Sequence, residues 1–147
     1  MKKCLVILLA VIFLTACGGD KETSTSVNKD TESTEEKSSE PTQEELNDKL
    51  KSEAIQAVFV ELNSDNTEVN KKVFALGKVS AIGEEGIFKT FLLTTEESNG
   101  LGVYKIVDVL KEVEYQEGDS IKIYGTYDGK EESTGMPKIT STVIEKQ

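Results

Sequence analysis

The spacing of apolar positions changes from one part of this chain to the next. Residues 4 to 14, CLVILLAVIFL, are apolar without interruption. Residues 18 to 42, GGDKETSTSVNKDTESTEEKSSEPT, hold one large apolar residue, Val27. After Pro41 the spacing becomes helical. Leu46, Leu50, Ala54, Ala57 and Val58 recur with Glu, Asp and Lys between them, which predicts a helix over 43–56. Thr42, with Glu45 three positions on, has the form of a capping box for its start. The continuation IQAVFVEL, residues 55 to 62, fits two elements. Ile55, Val58, Phe59 and Leu62 suit a helix face, whereas Val58, Val60 and Leu62 suit a strand. NSDN, residues 63 to 66, has turn chemistry.

From Lys71 the period becomes two, the mark of half-buried strands. KKVFALGKVSAI (71–82) is the first strand, with Val73, Ala75, Val79 and Ala81 on its apolar face and Gly77 in its middle. GEEG (83–86) is a hairpin turn and IFKTFLLTT (87–95) the second strand. EESNG turns again before LGVYKIV (101–107), the third strand. DVLKEVEY (108–115) reads either as one or two helical turns or as a loop held by Val109, Leu110 and Val113. QEGD leads into SIKIYGTY (120–127), the fourth strand. After the polar loop DGKEESTGMP comes KITSTVIE (138–145), the fifth, with Ile139 and Val143 on one face.

Five strands, with a lesser element between the third and fourth, follow the order of the OB-fold, a small Greek-key barrel. The expected fold is therefore mainly β: a five-stranded OB-like barrel preceded by one amphipathic helix. Gly77 and Gly125 fit it physically, because glycine permits the sharp bend by which one strand serves both sheets. LGKVSAI, GDSIKIYGTYDG and PKITSTVIE together resemble the anticodon-binding-like OB domains. In Gram-positive bacteria these often stand alone as secreted lipoproteins, and LLTTEESNGLGVYKI is similar to segments of such lipoproteins. The resemblance covers residues 71 to 145 and implies the fold; the fold itself hosts many binding tasks.

The N-terminal run has eleven apolar residues after Lys2 and Lys3. A membrane-spanning helix needs roughly 20, while the apolar core of a secretory signal has about 7–15. Leu14-Thr15-Ala16-Cys17 resembles the bacterial lipobox: an apolar residue, two small residues and a Cys. That resemblance implies removal of residues 1–16, a diacylglycerol thioether on Cys17 and a mature protein held at the outer face of the cell membrane. Cys4 would leave with the signal, so no free thiol would remain for a disulfide, a metal or a nucleophile. Residues 17–42 then form an acidic tether with too little apolar surface to offset ordering entropy. A flexible chain of this length reaches roughly 25–30 Å. The expected organisation is signal (1–16), lipidated Cys and tether (17–42), helix and connector (43–70) and barrel (71–147).

Composition narrows the chemistry. The formal net charge is −10, with no His and no Trp; every basic residue is Lys. The chain thus lacks an imidazole base or metal ligand and the planar guanidinium fork that grips phosphate in pairs of bonds. Strong acidity also opposes nucleic-acid binding, which depends on neutralising phosphates. The carboxylate pairs Glu84-Glu85, Glu96-Glu97 and Glu131-Glu132 fall in expected turns, where water keeps them ordinary. NSDNTE is similar to a calcium loop only at its start, since Glu68 and Phe74 stand where that loop needs Gly and Glu. No phosphate-binding Gly loop or nucleophile elbow occurs. The chain is therefore expected to be non-catalytic and to need no cofactor.

OB barrels bind through their second and third strands and the loops beside them. On that ground Lys89, Tyr104 and Lys105 are candidate ligand residues, and Tyr124 and Tyr127, on the fourth strand, are added to them. Each ring could stack on a ligand while a neighbouring Lys holds a negative group. Alternatively, the rings plug the barrel ends with their hydroxyls in water. The expected function is a lipid-anchored extracytoplasmic module that engages a protein or glycan of the cell envelope. The alternatives are surface capture of single-stranded nucleic acid and an immunity or phage-exclusion role.

Overall fold

In a computed structural model the described residues are 40–147. The signal, Cys17 and the tether as far as residue 39 lie outside them; Thr42, the last residue of the expected tether, is the N-cap of the first helix. Helix α1, Gln43–Glu53, starts at the expected capping box. Thr42 Oγ1 accepts from the Glu45 amide at 3.3 Å, and the Glu45 carboxylate accepts from the Thr42 amide at 2.8 Å. The helix ends sooner than its pattern suggests, because Ala54 turns extended (φ −68°, ψ 132°) and the next residues join the sheet. No residue of α1 is buried. Ion pairs fasten it to the barrel instead: Lys51 with Glu145 at 2.7 Å, and Glu53 with Lys72.

The ambiguous stretch 55–62 contains both kinds of element. Strand β1, Ile55–Gln56, pairs parallel with Val73–Phe74, and a single turn, α2, covers Phe59–Leu62. Five longer strands follow: β2 (Lys72–Glu85), β3 (Phe88–Glu97), β4 (Gly100–Asp108), β5 (Ser120–Lys130) and β6 (Pro137–Lys146). The order β2-β3-β4-β6-β5 is closed by pairing of β5 with β2. Only the β4–β6 contact within that ring is parallel. This is the OB-like barrel, preceded by a helix, that the strand order predicts.

Loops differ from expectation where pairing extends further. β2 continues through Glu85, so the first hairpin turns at Gly86 and Ile87, with Gly86 at φ +62°. Residues 109–115 form no helix. Asp108, buried at the end of β4, accepts from the Lys111 amide at 2.9 Å and the Tyr115 hydroxyl at 3.1 Å, and so holds this loop by its two ends.

β2 is the strand shared between the two sides of the barrel. It pairs with β5 up to Lys78 and with β3 from Lys78 onward. The changeover lies beside Gly77, where an added Cβ would collide with the Thr94 carbonyl oxygen. Gly125 sits equally close to the backbone of Thr140. Past Gly77 a bulge between Ser80 and Gly83 places Ala81 at φ +48°. One extra residue reverses which side chains face inward. Ala81, expected on the apolar face, is consequently exposed, and Ile82 packs on the core. A second register shift, opposite Tyr124 and Gly125, acts likewise on β6. Ile139 keeps its inward place, but Ile144 takes the core position expected of Val143. The centre of the barrel is filled by Phe91, Leu93, Tyr104, Ile106, Ile121, Ile123 and Tyr127, all 2 % exposed or less.

Candidate binding groove

The five residues singled out from the sequence do not converge on one site. Adjacent residues of a strand point to opposite faces, and this separates Tyr104 from Lys105. Tyr104 lies inside the barrel, 0 % exposed. Its hydroxyl donates to Glu97 Oε1 at 2.6 Å, and Phe59 meets its ring edge-on at 5.9 Å. Tyr127 is also internal; its hydroxyl donates to the Leu62 carbonyl at 2.6 Å and ties α2 to β5. The two rings do plug the barrel, but their hydroxyls meet protein acceptors, not water. Burial, reinforced at Tyr104 by Glu97, pushes both phenols above the ordinary tyrosine pKa. Neither ring has a face open for stacking, which corrects their assignment as ligand residues.

Tyr124 points outward but is buried against Phe74, with Lys122 at 4.8 Å and Lys51 at 5.8 Å from its ring centre. It belongs to the contact beneath α1, which corrects its assignment as well. Lys89 stands over the Tyr115 ring, 4.0 Å from its centre, at one end of the barrel. Tyr115 in turn packs on Phe91 and bonds Asp108; burial and that carboxylate raise its phenol.

Of the five, Lys105 alone lies on the outer face of β3 and β4. Its ammonium is held between Glu85 and Glu131, at 2.6 Å from each. Burial draws its pKa down, but the bonds it donates to Glu131 and Glu85, and their charge, raise it above the usual lysine value. The same contact holds the Glu85 carboxyl below its usual range. Two carboxylates on one ammonium leave a net negative charge there, so Lys105 is no anion receptor. The contact fastens the β5–β6 loop at Glu131 to the tip of the β2–β3 hairpin at Glu85.

The open feature of this face lies elsewhere. β2 and β3 separate beyond the Lys78–Thr94 pair, since β3 continues along β4 while β2 turns to β5. Two hollows of about 580 and 350 Å³ lie in the resulting fork and share Leu76 and Glu96 in their linings. Leu76 and Leu101 flank it, 51 % and 68 % exposed. Ser80, Thr94 and Ser120 supply hydroxyls. Lys78 and Glu96 bring opposite charges, and neither forms an ion pair among the described residues.

The fork was missed because its residues look unremarkable one by one. The signal was parity: Leu76, Lys78 and Ser80 alternate with the apolar set that ends at Val79. Glu96-Glu97, read as a solvated turn pair, is split by the same rule. Glu97 turns inward and accepts from the Phe59 amide, Thr95 Oγ1 and Tyr104, while Glu96 lines the groove.

Among the described residues no group of three His, Cys, Asp or Glu side chains is placed to hold a metal. Asp65, in the loop tested for calcium, is bonded to Lys130 at 2.6 Å. No helix of the described residues is long and apolar enough to cross a membrane. No protein-family model matches the chain, and no curated protein matches it.

Proposed function

We propose that this chain is a lipid-anchored, non-catalytic module at the outer face of the cell membrane, whose OB-like barrel engages a protein or glycan of the cell envelope. The observation that carries the reading is the open fork on the outer face of β2 and β3, with exposed Leu76 and Leu101 beside the hydroxyls of Thr94 and Ser120. Such a mixture of apolar and polar surface suits binding. The lipobox-like Leu14-Thr15-Ala16-Cys17 supports the anchor, and the acidic stretch after it supports a spacer. Nucleic acid is the weaker partner, because Lys105 is neutralised on the face where such barrels grip phosphates and the whole chain is acidic.

The test is crosslinking on intact cells that express the chain with its own N-terminus, beside Cys17→Ala. Recovery through a C-terminal tag of one envelope protein or glycan, only from the anchored form, is the expected result. Recovery of salt-sensitive nucleic acid, or of nothing specific, overturns it.

A further inference from the structure

The fork between β2 and β3 has a property beyond its exposed leucines. On the side of β2 away from β5, β1 pairs with Val73 and Phe74, and β3 pairs from Lys78 onward. Ala75, Leu76 and Gly77 fall between the two and have no strand partner on that side. Across the fork, Thr95, Glu96 and Glu97 pair only with β4. A break in pairing therefore lies at the groove, within a closed ring of strands whose other short contact is that between β4 and β6. Unpaired strand backbone is a template for another extended chain. β1 already uses the same edge in this way: two residues lie parallel to β2, and Ala57 donates to the Phe74 carbonyl at 2.8 Å.

We infer that the groove receives an extended peptide segment of the partner, paired through its backbone with Leu76 or Glu96 in the gap beyond β1. This rests on the binding-module reading and chooses peptide over glycan. Phe74, the aromatic ring lining the smaller hollow, is covered by Lys122 at 4.5 Å from its centre. With one face under Lys122 and the ring packed beside Tyr124, it is a poor platform for a sugar, which binds well to bare rings. The lining suits a peptide in detail. Leu76 and Leu101 accept apolar side chains from alternate positions of the guest, because alternate residues share one face of an extended chain. Lys78 and Glu96 oppose each other in charge, which matches a segment whose own charges balance and disfavours a strongly acidic or basic one.

The experiment exposes the full chain to a displayed library of random short linear peptides and, in parallel, to an array of envelope-type oligosaccharides. The expected result is a family of peptides with apolar residues at alternate positions. Their binding weakens at least about tenfold in Leu76→Asp and in Leu101→Asp and is unchanged in Lys89→Ala. Methylating alternate backbone nitrogens of an enriched peptide abolishes its binding, and the amides of residues 75–77 or 95–97 exchange more slowly when it is bound. Circular dichroism and melting of each variant separate loss of the site from loss of the fold, and Leu101→Ser is the milder substitute if the Asp variants unfold. Peptides that bind equally well after methylation, or to both leucine variants, overturn the inference. Oligosaccharide binding lost in those variants also overturns it but leaves the module reading standing. An envelope partner recovered on cells whose capture ignores Leu76 and Leu101 has the same meaning. If neither library yields a binder and cells yield no partner, both readings fall.

Discussion

The Tyr104 hydroxyl donates to Glu97 Oε1 at 2.6 Å, and the other oxygen of that carboxylate accepts from the Phe59 amide at 2.9 Å. One acidic side chain thus joins the barrel interior to α2. Gly102 makes room for it, since a Cβ there would strike Glu97 Oε1 and Thr95 Oγ1. Tyr104→Phe removes a charge-assisted donor without changing the ring. It should destabilise the domain by about 1.5–3 kcal/mol, read as a lower denaturant midpoint at unchanged slope.

The same bond sets a dependence on alkali. Burial and Glu97 raise the Tyr104 pKa above its ordinary 10.0, and burial with Asp108 raises that of Tyr115. The folded state therefore holds these protons more tightly than the unfolded one. Their contribution to stability is complete below the ordinary tyrosine pKa and is lost as pH rises beyond it. Urea unfolding followed between pH about 9 and 11 should show stability falling, with a shallower fall in Tyr104→Phe. Parallel curves for the two proteins would refute this.

Gly77→Val should cost more than about 1 kcal/mol. The cause is close approach, not an unusual φ: the new side chain would meet the Thr94 backbone, which cannot move without opening the β2–β3 contact. Unchanged thermal melting would remove Gly77 as the cause of the changeover from β5 to β3.

Ala81 is the reverse case. It holds φ +48° at an exposed bulge, a conformation that costs an L-residue roughly 1–2 kcal/mol and glycine much less. Part of that gain is offset by glycine's greater freedom in the unfolded chain. Ala81→Gly should therefore stabilise the domain by up to about 1 kcal/mol, measured by chemical denaturation.

Lys105→Met should destabilise the domain by about 1 kcal/mol or more, because the contact with Glu131 is largely buried and its loss leaves the Glu85 and Glu131 carboxylates facing each other without a cation. It should free the β5–β6 loop, seen as faster amide exchange in residues 131–136. Acid should act in the same direction. The Glu85 carboxyl is held below its usual value by Lys105, so the contact is present above the ordinary carboxylate pKa and is lost as pH falls through the lowered one.

The period-two segments, the turn residues between them and the capping box at Thr42 made the barrel and its leading helix legible in the chain itself. These are local properties: alternation follows from strand geometry, and a cap involves residues three apart. Tertiary structure decided which face each residue occupies after an interruption. The bulge at Ala81 exchanges the roles of Ala81 and Ile82, and the shift opposite Gly125 exchanges those of Val143 and Ile144. Parity alone could have parted Tyr104 from Lys105. That Tyr104 turns inward to a carboxylate, while Lys105 is spent on Glu85 and Glu131, required contacts across the barrel. The fork depends most on the whole, because it exists where two strands leave each other for different neighbours. Gly77 marks in the sequence where β2 can bend, but which neighbours the two strands leave for has no local signature, since the free energy that drives it comes from pairing and burial with residues distant in the chain.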